Sequence, residues 1–465
     1  MTGSFIIRNV EVDGCAGRDV RIESGRIAEV GAGLPGGADE LDGRGGALIP
    51  GLVDHHIHLF ALAAQAQSLA LDGVRSASDF KARIDAALTA RPPGRWLRVT
   101  GYHQAMAGEL GRELLDEIAP GHPIRVQHQT GSLWGLNSLA LAAVDAEDAS
   151  ADCIERDGAG RPTGRVWRGD AWLRERLADD PPSLAAVGRR LAAFGITAVT
   201  DASVTTNVES AARLAMAHRA GELPQRLMLM SGGELAAPPD GAFAVGPVKV
   251  LLDDHDLPPL DDFVSRIGLA RRWRRAVAVH CVTAAELAIT LAAFEAAGAL
   301  PGDRIEHGGV IPAEAIAVIR GVGLTVVTQP AFVAERGDRY LAEVDPGEHA
   351  DLYRCASLQA AGVTVAASSD APYASPDPWR GVAAAVARLT DAGQTLGAAE
   401  RVGGAEALAL YLADPALPGG TPRRVEPGAA ADLCLLRTTL ADALRTPSAT
   451  SVAATLIGGR VVFAA

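Results

Sequence analysis

Over the first 48 residues, apolar and polar positions alternate in short runs, "SFIIRNVEV" and "VRIESGRIAEVG", broken by glycine-rich turns. A period of two marks strands with one buried face. The C-terminal stretch has the same texture in "ADLCLLR" and "VAATLIGGRVVFA". Neither end carries enough apolar residues for a core of its own, so residues 1–48 and 424–465 are expected to combine into one small β-sandwich. Between them the pattern changes. Short apolar runs alternate with alanine-rich stretches of helical period, which predicts a parallel sheet covered by helices. The candidate strands are "LVDHHIH", "TAVTDAS", "RLMLMSG", "VKVLLDD", "VAVHCV", "RIEHGG", "LTVVTQP" and "VAASSD". Helical segments such as "TAAELAITLAAFEAAGAL" and "PAEAIAVIRGVG" each close near a glycine. Eight such units predict an α/β fold, a (β/α)8 TIM barrel, over residues 49–423.

More than 130 residues separate the first two strands, far beyond an ordinary crossover. This excursion has strands of its own, "WLRVTGYHQ" and "PIRVQHQTG", and a helix in "ASDFKARIDAALTA". An insertion after a barrel strand emerges on the C-terminal face, where active sites of this fold lie. Residues from about 60 to 190 are therefore expected to form a cap.

Composition narrows the class of partner without choosing a substrate. The chain has 465 residues, 43 basic and 56 acidic, and a net charge of −13. That balance argues against nucleic acid or an anionic membrane surface as partner, and leaves a small molecule. The start "MTGSFIIRNVEVDG" has neither the basic nor the apolar region of a secretion signal, and no apolar run is long enough for a membrane span. Five scattered cysteines without CxxC spacing fit a reducing, cytoplasmic setting. Lysine occurs only at Lys81 and Lys249. A chain that uses arginine nearly everywhere else has kept a lysine inside "GPVKVLLDD".

The chemistry starts at "PGLVDHHIHLF". Asp54, His56 and His58 share one face of the first strand and His55 takes the other. Two imidazoles at i and i+2 on one face can reach the same metal ion. Later strand ends carry Lys249, His280, His307 and Asp370. In a closed barrel such ends meet at one mouth. One histidine on a strand is more often a satisfied core residue than a ligand, but four histidines with a lysine and an aspartate at five strand ends point to a metal. Nitrogen and oxygen donors of this kind suit Zn²⁺, with Mn²⁺, Fe²⁺ or Ni²⁺ as alternatives. Cys281, beside His280, reads as a small buried hydrophobe.

These motifs, with "TQPAF", "SSDAP" and "VEPGAAADLCLL", resemble the amidohydrolase superfamily, and most closely its family 3, the YtcJ-like metal-dependent hydrolases. "LNSLAL", "GRPTG" and "GITAVTDA" extend the resemblance over essentially the whole chain. The resemblance implies a binuclear amidohydrolase that cleaves carbon–nitrogen bonds other than peptide bonds. His56 and His58 would hold the first of two zinc ions, and His280 and His307 the second. Lys249, carboxylated by carbon dioxide, would bridge them, and Asp370 would bind the first ion and handle protons. An ammonium has no lone pair to give, whereas a carbamate is an anionic two-oxygen bridge that arginine could not supply. Dimers are common among similar proteins, and a homodimer is compatible with the resemblance.

The chain also departs from the pattern. Thr130, Gly131 and Ser132 stand where many relatives have Asp-Gly-His, and "LLDDHDLPPLDD" replaces a glycine- and serine-rich segment after the lysine. Tyr102, His103, Trp134, Gln329 and Arg336 are candidate substrate contacts. Two other readings stand beside the binuclear one. A mononuclear hydrolase or deaminase would use His56, His58, His280 and Asp370 around one ion. A non-catalytic scaffold would have kept the barrel without the chemistry. The family spans amides, cyclic amides, formamides and esters, so no substrate is carried over.

Overall fold

Eight apolar runs line up as one parallel sheet: β1 (Leu52–Ile57), β2 (Ile196–Asp201), β3 (Arg226–Ser231), β4 (Ala244–Val250), β5 (Val277–Cys281), β6 (Arg304–His307), β7 (Thr325–Thr328) and β8 (Val365–Ala367). Each strand pairs in parallel with the next. Every residue of β1, β2 and β6 is buried, as expected of strands covered on both faces. The computed structural model describes residues 5–36, 39–71, 73–89, 91–177 and 182–465.

The sheet edges meet just beyond β8. Asp370 N–H donates to the His56 carbonyl at 2.8 Å, and His58 N–H to the Ala371 carbonyl at 2.9 Å. The architecture is thus the expected α/β barrel, all eight candidate strands falling within it.

The helices between strands are specified locally. The one after β5, Ala284–Ala297, opens on a reciprocal cap between Thr283 and Glu286. It closes at Gly298, whose φ of 75° is one that other residues adopt only with strain. Among the described residues, no helix is long and apolar enough to cross a membrane.

The chain ends form two further four-stranded sheets. One has the order Arg26–Gly31, Cys15–Glu23, Phe5–Val12, Asp39–Asp42, and the other Arg460–Ala464, Val452–Ile457, Leu433–Leu436, Leu48–Pro50. Ile7, Val10, Val20, Leu48, Leu433, Leu435 and Leu456 share one buried core between them.

Residues Phe60–Ser183 form a separate compact unit. In its six-stranded sheet Leu97–Tyr102 and Ile124–His128 are parallel neighbours, and Ala77–Thr89 is a helix. The helix Ala185–Ala193 already belongs to the barrel unit.

Candidate metal centre

The rim of the barrel is built where strand alternation ends. On β1, Asp54 and His56 lie on one face and His58 follows one residue beyond the strand. On β6, alternation would turn His307 away from the side taken by Glu306. Its φ of 71° breaks the pleat, so consecutive residues both meet His56. Asp370, three residues past β8, has a φ of 54°. Left-handed backbone at two non-glycine positions is strained, and it persists only where its surroundings enforce it. At Asp370 the enforcing group is Asp54, whose carboxylate accepts from Ser369 N–H at 3.0 Å, Ser369 O–H and His56 N–H at 3.2 Å. Ser369 Oγ in turn accepts from Ala371 N–H at 2.9 Å. Burial pushes the Asp54 carboxyl up to about 6 against these hydrogen bonds.

The structure brings five of the six expected rim residues into contact with one another. Asp370 Oδ1 lies 3.1 Å from His58 Nε2 and 3.4 Å from His56 Nε2, and its Oδ2 is 3.9 Å from His307 Nδ1. The His307 ring centroid lies 4.8 Å from that of His56 and 4.6 Å from that of His280. Lys249 is buried on β4, with its Nζ lacking a hydrogen-bond partner. His56, His58 and Asp370 offer ligand atoms within 4.8 Å of one another.

His56 and His58 present Nε2 to Asp370, and in all three rim imidazoles met by a neighbouring oxygen that contact is made at Nδ1. Nδ1 of His56 meets Glu306 Oε2, Nδ1 of His58 lies 3.1 Å from Ser203 Oγ, and Nδ1 of His307 lies 2.9 Å from Gln329 Oε1. Burial lowers the pKa of His56 and His307 well below the ordinary value, and that of His280 to about 4, with Lys249 adding to each shift. Neutral rings keep a lone pair for an ion. Burial likewise lowers the Lys249 ammonium, against the pull of Glu306 and Asp370. The donor set therefore fits a divalent cation: neutral imidazoles, a carboxylate, and buried polar atoms without partners.

The candidate substrate contacts divide. Gln329 is buried, and its Nε2–H donates to Ser368 Oγ at 2.9 Å, so it orients His307. Arg336 lies over the Phe332 ring and donates through Nη2 to the Tyr373 carbonyl at 2.6 Å, while the Tyr373 ring stands edge-on to His58. Tyr102 and Trp134 lie in the core of the inserted unit. The Tyr102 hydroxyl donates to the Gly108 carbonyl at 3.0 Å, and Arg98 and Arg125 lie over the Trp134 ring. His103 caps a short helix by accepting from Ala105 N–H at 3.1 Å. After β4, Asp254 accepts from the Thr283 hydroxyl at 2.9 Å and ties this acidic loop to the helix that follows β5.

Sequence reasoning passed over Glu306 and Ser203. For Glu306 a signal was present: a carboxylate between isoleucine and histidine in an apolar strand must find a partner when buried.

A parallel barrel with nitrogen and oxygen donors gathered at the C-terminal ends of its strands belongs to the class of TIM barrels built to hold a metal. The model of the amidohydrolase family matches residues 39–463, and the chain belongs to that family. It is 27% identical to an N-substituted formamide deformylase of Arthrobacter pascens over 92% of both chains. It is 23% identical to the putative amidohydrolase YtcJ of Bacillus subtilis over 83% of both. Its fold resembles an uncharacterized metal-dependent hydrolase from Pyrococcus horikoshii, with a TM-score of 0.75 at 18% identity, covering 92% of this chain and 96% of the other.

Proposed function

We propose that this protein is a metal-dependent amidohydrolase that cleaves an amide-type carbon–nitrogen bond of a small molecule with an activated water. The observation that carries the reading is the set of orphaned atoms at the rim. Lys249 Nζ is buried without a hydrogen-bond partner, and Asp370 Oδ1, though 3.1 Å and 3.4 Å from the Nε2 atoms of His58 and His56, makes no hydrogen bond to either, an arrangement that costs free energy unless a cation satisfies it. His56, His58 and Asp370 would hold one ion and His280 and His307 a second, with zinc the best match to the donors. Lys249 would bridge them after its neutral amine adds to carbon dioxide, forming the N–C bond of a carbamate and releasing one proton. Ions bound in this way lower the pKa of water and polarise a carbonyl.

The residues of the chain supply the rest. Asp370 would take the proton of the attacking water on one carboxylate oxygen and return it to the leaving nitrogen. Asp54 and Ser369 hold its backbone in place for both transfers. Glu306, Ser203 and Gln329 keep the three imidazoles turned toward the centre. The likeness to a deformylase over nearly the full chain makes N-substituted formamides the first substrates to assay.

A mononuclear centre is the second reading. It is favoured by the close grouping of His56, His58 and Asp370 alone among the described residues. Metal analysis with intact-mass spectrometry separates the two. Two ions per chain and the added mass of one carbon dioxide on Lys249 support the binuclear form, and one ion with an unmodified lysine supports the other. Turnover undiminished by complete metal removal overturns both. Asp370→Asn is expected to lower kcat by about 10²–10⁴-fold, the span of general acid–base catalysis. Wild-type turnover in that variant would remove the proton-handling role.

A further inference from the structure

We propose that Glu306 and Arg304 form a positioning pair beneath the centre, in which Glu306 fixes the ring and tautomer of His56 and Arg304 holds Glu306. The inference rests on the metal-binding reading above and names residues that make one imidazole a stronger ligand than its neighbours.

All three side chains are sealed from water, at 1% exposure or less. Strand alternation puts Arg304 and Glu306 on the same face of β6. Arg304 Nε–H donates to Glu306 Oε1 at 2.5 Å, and its Nη2–H donates to the His55 carbonyl at 3.2 Å. The other carboxylate oxygen, Oε2, meets His56 Nδ1. One guanidinium is thus tied both to the carboxylate and to the backbone of β1, next to the histidine that the carboxylate orients. Inside the barrel the pair is neutral overall, which is how a buried anion can be tolerated there.

A carboxylate can only accept, so the proton of a neutral His56 sits on Nδ1 and its lone pair on Nε2. Nε2 is the atom that faces Asp370 and lacks a partner. His58 and His307 are oriented differently, by the neutral oxygens of Ser203 and Gln329. Of these three imidazoles, His56 is the one backed by a charged acceptor. Such a partner raises ligand basicity as well as fixing the ring, so His56 becomes the anchor of the first ion. Glu306 does not touch the reacting atoms and acts through His56.

The test uses Glu306→Gln and Glu306→Ala in the full chain, with zinc affinity read by competition against a chromophoric chelator. Loss of such a partner weakens metal binding by about 10–100-fold. The alanine variant is expected near the upper end. The glutamine variant, whose amide oxygen still accepts from Nδ1, is expected near the lower. Affinities within twofold of wild type in both folded variants overturn the proposal and leave Glu306 as mere compensation for Arg304. A second measurement needs no variant at Glu306. ¹⁵N spectra of histidine-labelled, metal-free wild-type protein, with His56 assigned by its loss in His56→Asn, should show the Nδ1–H tautomer. An Nε2–H tautomer overturns the proposal even where the Glu306 variants fail to fold. If the wild type binds no metal, the metal reading falls, while the tautomer still tests the pair.

Discussion

Lys249→Met separates the cost of a functional group from its use. Methionine nearly matches lysine in length and fills irregular apolar space, so the substitution removes the amine while largely keeping the packing. Nζ is fully buried without a hydrogen bond, and burial outweighs the attraction of Glu306 and Asp370 in setting its protonation. A buried polar group left unsatisfied costs about 1–3 kcal/mol. The metal-free variant should therefore be more stable than the metal-free wild type by about that amount. With an unfolding entropy of about 2.1 cal/mol/K per residue, the whole chain loses about 1 kcal/mol per kelvin, so Tm should rise by roughly 1–3 °C. Scanning calorimetry on chelator-treated proteins reads this shift, and the same preparations reloaded with zinc should show weaker metal uptake and lost turnover in the variant. A metal-free variant that melts below wild type would refute the reasoning, because the amine would then be making a stabilising contact. Wild-type metal stoichiometry and activity would remove the bridging role as well.

Other perturbations probe the supports of the site. Ser369→Ala deletes the hydroxyl that links Asp54 to Ala371 N–H around the strained Asp370; steady-state kinetics should show kcat lower by about 10–100-fold with metal content retained, since a small misplacement of a reacting group costs on that order. Unchanged kcat would mean the turn holds itself. Away from the rim, Glu400 accepts from Arg354 at 2.7 Å, from Cys355 N–H and Ser357 N–H each at 3.0 Å, and from the Ser357 hydroxyl at 2.5 Å. Glu400→Ala leaves Arg354 with Asp351 as its remaining carboxylate partner and removes the acceptor of Cys355 N–H and Ser357 N–H, and should destabilise by about 1–3 kcal/mol in urea titrations. Burial alone would raise the Glu400 carboxyl, but these hydrogen bonds outweigh it and hold the pKa below the usual 4.5. The stability that Glu400 contributes is then fully present above that value and is lost as pH falls through the lowered one. The wild-type advantage over the alanine variant should shrink in acid, and an advantage independent of pH would exclude a role for the ionised form.

The barrel was legible because eight short apolar runs, alternating with helical stretches, leave few topologies open. Side-chain period placed Asp54 and His56 on one face, and strand order placed Lys249, His280, His307 and Asp370 near one rim. Period alone could not show that His307 and Asp370 escape alternation, since a left-handed residue at a strand end depends on the hydrogen bonds around it. Nor could it pair Glu306 with His56, 250 positions apart, because that contact needs barrel closure and register together. Tyr102 and Trp134 mark a different limit: an aromatic residue in a strand reads the same whether it lines a pocket or fills a core, and both fill the core of the inserted unit.

The shared core of the terminal sheets bears on how the chain is made. The N-terminal strands find their apolar partners in Leu433, Leu435 and Leu456, about four hundred residues later. At a synthesis rate of about 5–20 residues per second, they wait roughly 20–80 s on the ribosome with that face uncovered. Slow translation or a shortage of chaperones should therefore lower the yield of this protein through aggregation of nascent chains.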